Sequence, residues 1–156
     1  MTADILHLAK ARSTIPILAK WLYEEWGYLH ENDSIHRRIM SLENQVDETK
    51  IPFTYVALID KMPAGTASVV TTDIPDRRDL TPCVASVLVH KNYRRTGIGS
   101  ALMKAVEKHA QRLGFEKLYL FTWDQEKLYS SLGWKTIEAS EYEGKSIVIM
   151  EKKIGD

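Results

Sequence analysis

The amino-acid sequence predicts an α/β fold, and three observations carry that expectation. A near-continuous apolar run at 84–89 has the composition of a strand covered on both faces. It leads through a basic, glycine-containing turn into the clearest amphipathic helix of the chain, and a strand pattern at 117–122 completes a β-α-β unit whose strands are expected to be parallel neighbours. Hairpin patterns on either side, at 53–71 and 134–152, add antiparallel pairs. With 156 residues the chain is long enough for one core and short for two, so 1–156 is read as a single domain.

Taken in order, positions 5–9 read as a short first strand. Ser13 or Thr14 is placed to cap a helix whose apolar residues Ile15, Leu18, Ala19, Leu22 and Trp26 recur at helical spacing. Pro16 falls in its first turn, and Gly27 is expected to end it. Ser34 caps a second helix carrying Ile35, Ile39, Leu42 and Val46 on one face. The β-branched and aromatic run at 53–59 turns at Asp60-Lys61-Met62-Pro63 and returns at 64–71. Positions 73–82 form a polar loop with two prolines, long enough to be functional. After Gly97 the stripe Ile98, Ala101, Leu102, Ala105, Val106, Ala110 and Leu113 defines one helix face, with Gly114 as C-cap. A strand at 117–122, a short helix at 124–132 stopped by Gly133, and strands at 134–142 and 146–152 around Glu143-Gly144 complete the chain.

Composition narrows the function classes. Lys plus Arg equals Asp plus Glu at 21 each, so no global field favours nucleic acid or an anionic membrane, and Lys91, Arg94 and Arg95 are a local basic cluster. The single Cys83 excludes an internal disulfide framework and suits a reducing cytoplasm. Met1-Thr2-Ala3-Asp4 does not begin a signal peptide, and no apolar run approaches membrane-spanning length. The five histidines show no paired metal-ligand spacing, so no metal is expected. Cys83 reads as packing.

The strand-to-helix junction carries the chemistry. The first N–H groups of a helix lack intrahelical partners, and the helix dipole adds positive potential there. Gly97 and Gly99 let an anion approach, while Arg94 and Arg95 add mobile charge, so a phosphate-bearing ligand is expected. A dinucleotide fingerprint would need a third glycine where Leu102 stands, and a P-loop sequence is absent.

The segment from Val89 through Tyr93-Arg94-Arg95-Thr96-Gly97-Ile98-Gly99-Ser100-Ala101-Leu102 resembles motif A of the GNAT superfamily of acetyl-CoA-dependent N-acetyltransferases. Leu128-Tyr129-Ser130-Ser131-Leu132-Gly133-Trp134 resembles its motif B. Lys91 stands where the family commonly has proline. The resemblance implies a mixed, mostly antiparallel sheet, splayed between strands 84–89 and 117–122 and flanked by helices. It implies that backbone N–H groups from Arg95 to Ser100 hold the coenzyme A pyrophosphate, with Arg94 beside them. Val87, Leu88 and Val89 would pair with the pantetheine arm, and an N–H near Val87 or Leu88 would polarise the thioester carbonyl. Tyr129 stands at the usual general-acid position, against the alternative of a packing aromatic. The general base is unassigned: ordered water, or Glu24 or Glu25.

Glu25, Trp26 and Tyr28 lie where the family's first helices wall the acceptor site. Arg37, Arg38, Arg77 and Arg78 read as solvated pairs that an acidic acceptor can use. Glu25-Trp26, with Thr122-x-Asp124-Gln125 and Leu132-Gly133-Trp134, is locally similar to the actin N-terminal acetyltransferase branch and its bacterial relatives. The expected activity is acetyl transfer from acetyl-CoA to a primary amine of a small molecule, with a peptide or protein as the alternative acceptor. Oligomeric state, monomer or homodimer, is open. Two rivals are a non-catalytic acyl-CoA sensor and a nucleotide-binding protein using the same anion site.

Overall fold

A computed structural model describes residues 2–155, so Met1 and Asp156, the ends of the expected domain, lie outside the described residues. One seven-stranded sheet runs in the order β1-β2-β3-β4-β5-β7-β6. Its strands are β1 (Asp4–His7), β2 (Phe53–Ile59), β3 (Met62–Val70), β4 (Cys83–Val89), β5 (Lys117–Thr122), β6 (Lys135–Tyr142) and β7 (Lys145–Lys153). The helices are α1 (Ile15–Trp26), α2 (Ile35–Glu43), α3 (Ile98–Arg112) and α4 (Glu126–Ser131). Every neighbouring pair is antiparallel except β4 and β5, which are parallel and share the single register pair Cys83↔Tyr119. The mixed, mostly antiparallel, splayed sheet is therefore the one the sequence leads to.

Period-2 alternation distributes the core over both faces. Tyr55 and Ala57 of β2 point to α3, where Ile98, Leu102, Met103 and Val106 are buried. Val56 between them points to the opposite face, against Leu18, Ala19 and Leu22 of α1 and Leu42 of α2. The loop after β3 has its own small core, in which Ile74 and Leu80 cover Cys83 and Ile149. Cys83 is fully buried, and burial pushes its thiol up to about 11, which fits packing and not nucleophilic chemistry.

Several element ends differ from the sequence reading. The first strand stops at His7 instead of Ala9, because the His7 imidazole accepts from the Ala9 N–H at 3.0 Å and starts a 3₁₀ turn over Leu8–Lys10. Neither Ser13 nor Thr14 caps α1. Thr14 is itself helical, and its hydroxyl donates back to Ala11 O at 2.6 Å. Gly27 does end α1, as its C-cap, in a right-handed geometry at φ −60° that continues into a 3₁₀ turn. Ser34 does cap α2, accepting from the Arg37 N–H at 3.1 Å, but Val46 lies beyond the helix in a bridge to Phe53. The α4 helix is shorter than 124–132, and Trp134 precedes β6 instead of opening it.

A buried polar cluster lies under α3. His109 Nε2 donates to Glu48 O at 2.9 Å, which leaves Nδ1 to accept from the Tyr55 hydroxyl at 2.7 Å. The His7 ring packs 5.2 Å from that of His109. Because His7 Nδ1 is an acceptor, its proton is on Nε2, which is buried without a partner. Burial first, and His109 second, hold the His7 pKa below 6.5. A lowered histidine pKa means the unfolded chain binds the extra proton first, so stability falls as pH drops below about 6.5 and goes on falling to the folded-state pKa. Urea midpoints should therefore decline from about pH 7.5 to pH 5, and His7→Asn, which keeps an acceptor for Ala9, should flatten that decline. An unchanged slope in the variant would place the acid sensitivity elsewhere.

Candidate active site

The site begins with a defect in β4. Thr66 of β3 faces Leu88 and Ser68 faces Ala85, so Ala67 stands opposite two residues, Ser86 and Val87. This is a β-bulge, and Ser86 adopts φ +56° to make it. Beyond Cys83↔Tyr119 the strands diverge, and the backbone of 86–89 faces β5 with no ladder partner there. Ser86 and Val87 are consequently half-buried on a cleft wall, whereas the sequence reading had the whole strand covered on both faces.

The chain after β4 forms a 3₁₀ turn, Lys91–Tyr93, and then an anion-ready concavity. Arg95 at φ +64° and Gly97 at φ +87° are left-handed, a geometry that turns successive N–H groups toward one side. No side chain caps α3, and the first intrahelical bond runs from Ala101 N to Gly97 O at 3.0 Å, leaving the N–H groups of Ile98, Gly99 and Ser100 open. A Cβ on Gly99 would meet only Val89 Cγ2, at 3.6 Å. Arg94 is less mobile than the sequence suggested, since its Nε donates to Val89 O at 3.2 Å. Thr96 turns its hydroxyl back to Tyr93 O and does not line the cleft.

Tyr129 is brought to the same cleft from the other side of the gap. Gly133 at φ +96° closes α4: its N–H bonds Ser130 O at 3.1 Å, and the Trp134 N–H bonds Tyr129 O at 3.0 Å. Trp134 is buried edge-on to Tyr129, with centroids 6.4 Å apart, and its indole N–H donates to Glu107 of α3 at 3.2 Å. Lys152 ties this corner down, bonding Glu107 at 2.6 Å and Leu132 O at 2.7 Å. Burial first, then the Asp124 carboxylate, push the Tyr129 hydroxyl up to about 12, so it stays protonated throughout the neutral range.

One cavity of about 2010 Å³ joins these parts. Val87, Leu88, Val89, Arg94, Arg95, Gly97, Ile98, Gly99, Ser100 and Tyr129 line it, and so do Glu25, Trp26 and Tyr28. Glu24 does not. Arg77 is engaged by Glu138 at 2.5 Å and Asp79 at 3.1 Å, and Arg38 by Asp33 at 2.7 Å. Sequence reasoning missed Asp73, Trp123 and Tyr142, which also line the cavity. They come from three separate segments, and no local pattern announces that they meet. Among the described residues no three His, Cys, Asp or Glu side chains come together as a metal site, and no helix is long and apolar enough to cross a membrane.

A parallel pair that parts beyond one register pair, beside an uncapped helix start, defines a cleft-type site suited to an anionic ligand with an extended arm. The sequence model of the acetyltransferase (GNAT) family matches residues 15–134, and the chain belongs to that family, whose members take acetyl-CoA as co-substrate. The fold is similar to that of an aminoglycoside 6'-N-acetyltransferase complexed with coenzyme A (TM-score 0.76, 16% identity, 97% of each chain). It is also similar to yncA of Salmonella typhimurium with its cofactor acetyl-CoA (TM-score 0.78, 16% identity, 100% of this chain and 96% of the other). An amino-acid acetyltransferase of Pasteurella multocida (strain Pm70) is 41% identical over 49 residues, 28% of this chain and only 11% of that protein's length.

The room at Gly99 gives a clean test of the concavity. Gly99→Ala should fold and bind coenzyme A, while Gly99→Glu should lose binding by at least about a hundredfold, because it sets a carboxylate among the open N–H groups. Calorimetric titration with coenzyme A measures both, and full binding by Gly99→Glu would move the anion site elsewhere.

Proposed function

We propose that this acetyltransferase, as a single domain, transfers the acetyl group of acetyl-CoA to a primary amine of a small molecule, by direct attack within a ternary complex. The observation that carries this reading is the single continuous cavity, in which the uncapped α3 start and the free β4 edge share one space with Glu25, Trp26 and Tyr28. Both reactants can be held at once, which favours direct transfer.

When bound, acetyl-CoA supplies an already activated thioester acyl group. The open N–H groups between Arg95 and Ser100 bind its pyrophosphate, with the guanidinium groups of Arg94 and Arg95 beside them. The β4 edge at Val87–Val89 pairs with the amides of the pantetheine arm, and the N–H of Val87 or Leu88 donates to the acyl oxygen as negative charge develops there. Tyr129 serves the departing sulfur. With a hydroxyl at about 12 against a thiol at ~8.5, full proton transfer is uphill by roughly 3.5 pK units, so Tyr129 acts mainly by hydrogen-bonding the thiolate. Of the two glutamates considered as base, Glu25 faces the cavity.

The small-molecule acceptor is favoured by two contacts that cross the acceptor half. The Tyr142 hydroxyl and His30 Nε2 are 3.1 Å apart, and Lys145 Nζ lies 6.0 Å from the Tyr28 ring centroid. Both link the 27–30 turn to the β6–β7 hairpin among residues that line the cavity. N-terminal or lysine acetylation of a peptide or protein is the second reading, with Glu25 and Trp26 on the cavity wall where such an acceptor would enter. The buried free thiol of Cys83 fits a cytoplasmic setting.

Thiol release from acetyl-CoA across a panel of amines tests the activity. Coenzyme A binding without release for any amine or peptide would leave the sensor reading, and equal thermal protection by ATP would favour the nucleotide reading. Tyr129→Phe should lower kcat by about a hundredfold with coenzyme A affinity within about twofold of the parent. Parental turnover in that variant would return Tyr129 to packing against Trp134.

A further inference from the structure

Asp73 follows the end of β3, where the loop crosses the start of β4. Val70 pairs with Cys83, and Ile74, next in the chain, is buried toward Tyr119 and Phe121. The crossing puts Asp73 on the cavity wall, facing Arg38 of α2, Tyr142 of β6 and the Cys83 thiol. Among the described residues its carboxylate makes no hydrogen bond and no ion pair. Arg38, the cation it faces, is already committed, its guanidinium forked onto Asp33 at 2.9 and 2.7 Å.

The wall beside Asp73 is aromatic. Trp123 and Tyr142 stack with ring planes 17° apart and centroids 5.6 Å apart, and Phe121 meets both edge-on. The Tyr142–His30 contact closes over this end. An unpaired carboxylate next to stacked ring faces is complementary to an organic ammonium, which gains both charge pairing and cation–π attraction. Position then separates this group from the reacting centre. From Cys83, opposite Val70 at the root of the Asp73 loop, to Val87, opposite Ala67 at the bulge, the ladder runs three residues of β3, about 10 Å. A single ammonium does not reach both ends.

We propose that the acceptor carries two amines, and that Asp73, backed by Trp123 and Tyr142, binds the remote one as ammonium while the other reaches the free edge of β4. The substrate class is thus an aliphatic diamine or a longer molecule with amines several bonds apart. Asp73 is exposed to the open cleft, where a soluble cation can reach it. The cleft walls push its carboxyl up to about 6, with Arg38 pulling it down, so at neutral pH it is mostly ionised.

This rests on the acetyl-transfer reading of the cavity, and the test separates the two. Coenzyme A affinity is measured first; a protein that does not bind it fails the broader reading. The protein–coenzyme A complex is then titrated with 1,5-diaminopentane and with pentylamine. The diamine should bind at least about tenfold more tightly, and Asp73→Asn should erase that margin while Asp73→Glu keeps part of it. In steady state the diamine advantage should lie in KM, which a merely structural loop residue would not produce selectively. Equal affinity for the two amines, or a margin retained in a folded Asp73→Asn variant, overturns the proposal.

Discussion

The molecule depends on β4 and β5 meeting once, at Cys83↔Tyr119, and then parting. A buried sheet interior normally saturates its backbone groups, and leaving them unpaired next to a neighbouring strand is costly. Here the bulge at Ser86 turns the strand out of register at a cost of about 1–3 kcal/mol for its positive φ. The divergence persists because each half of the sheet is anchored independently. β4 is held by β3 and by α3, while β5 is held along its full length by β7. The gap is therefore a fixed feature of the packing, with polar backbone exposed to a ligand instead of to a partner strand.

Two helices turn that gap into a site by different means. α3 starts without a side-chain cap, so its first amides remain available, and its apolar stripe seats that start against the end of β4. α4 is only six residues long and has little intrinsic stability. Its position comes from Gly133, Trp134 and the Glu107–Lys152 pair, which fasten it to α3 and β7. The motif around Tyr129 is thus mostly a fastening device, from which Leu128 and Tyr129 face the cleft.

How much of this was legible follows from how local each signal is. The turn from Lys91 to Gly97 and the stripe after it are contiguous, so the uncapped helix start and α3 could be read directly. The fastening of Tyr129 was legible as Gly133-Trp134 because a left-handed glycine and an anchoring aromatic are adjacent in sequence. The bulge was not, although Ser86 interrupts an otherwise apolar strand; a lone serine does not say whether a strand is covered or bulged. Helix ends failed where tertiary bonds outcompeted local ones, as when Thr14 bonded Ala11 instead of capping. The acceptor side was least legible. Asp73, Trp123 and Tyr142 converge from a loop, a strand end and a hairpin tip, so only the folded chain assembles them.

Amide hydrogen exchange of the protein with and without coenzyme A tests the central claim most directly, because it reads the backbone groups on which the account rests. Protection should rise at Val87 to Val89 and between Arg95 and Ser100, and change little along β7, which β5 and β6 already pair on both sides. Protection at the α3 start with none at Val87 to Val89 would contradict the account, since the gap between β4 and β5 would then bind nothing.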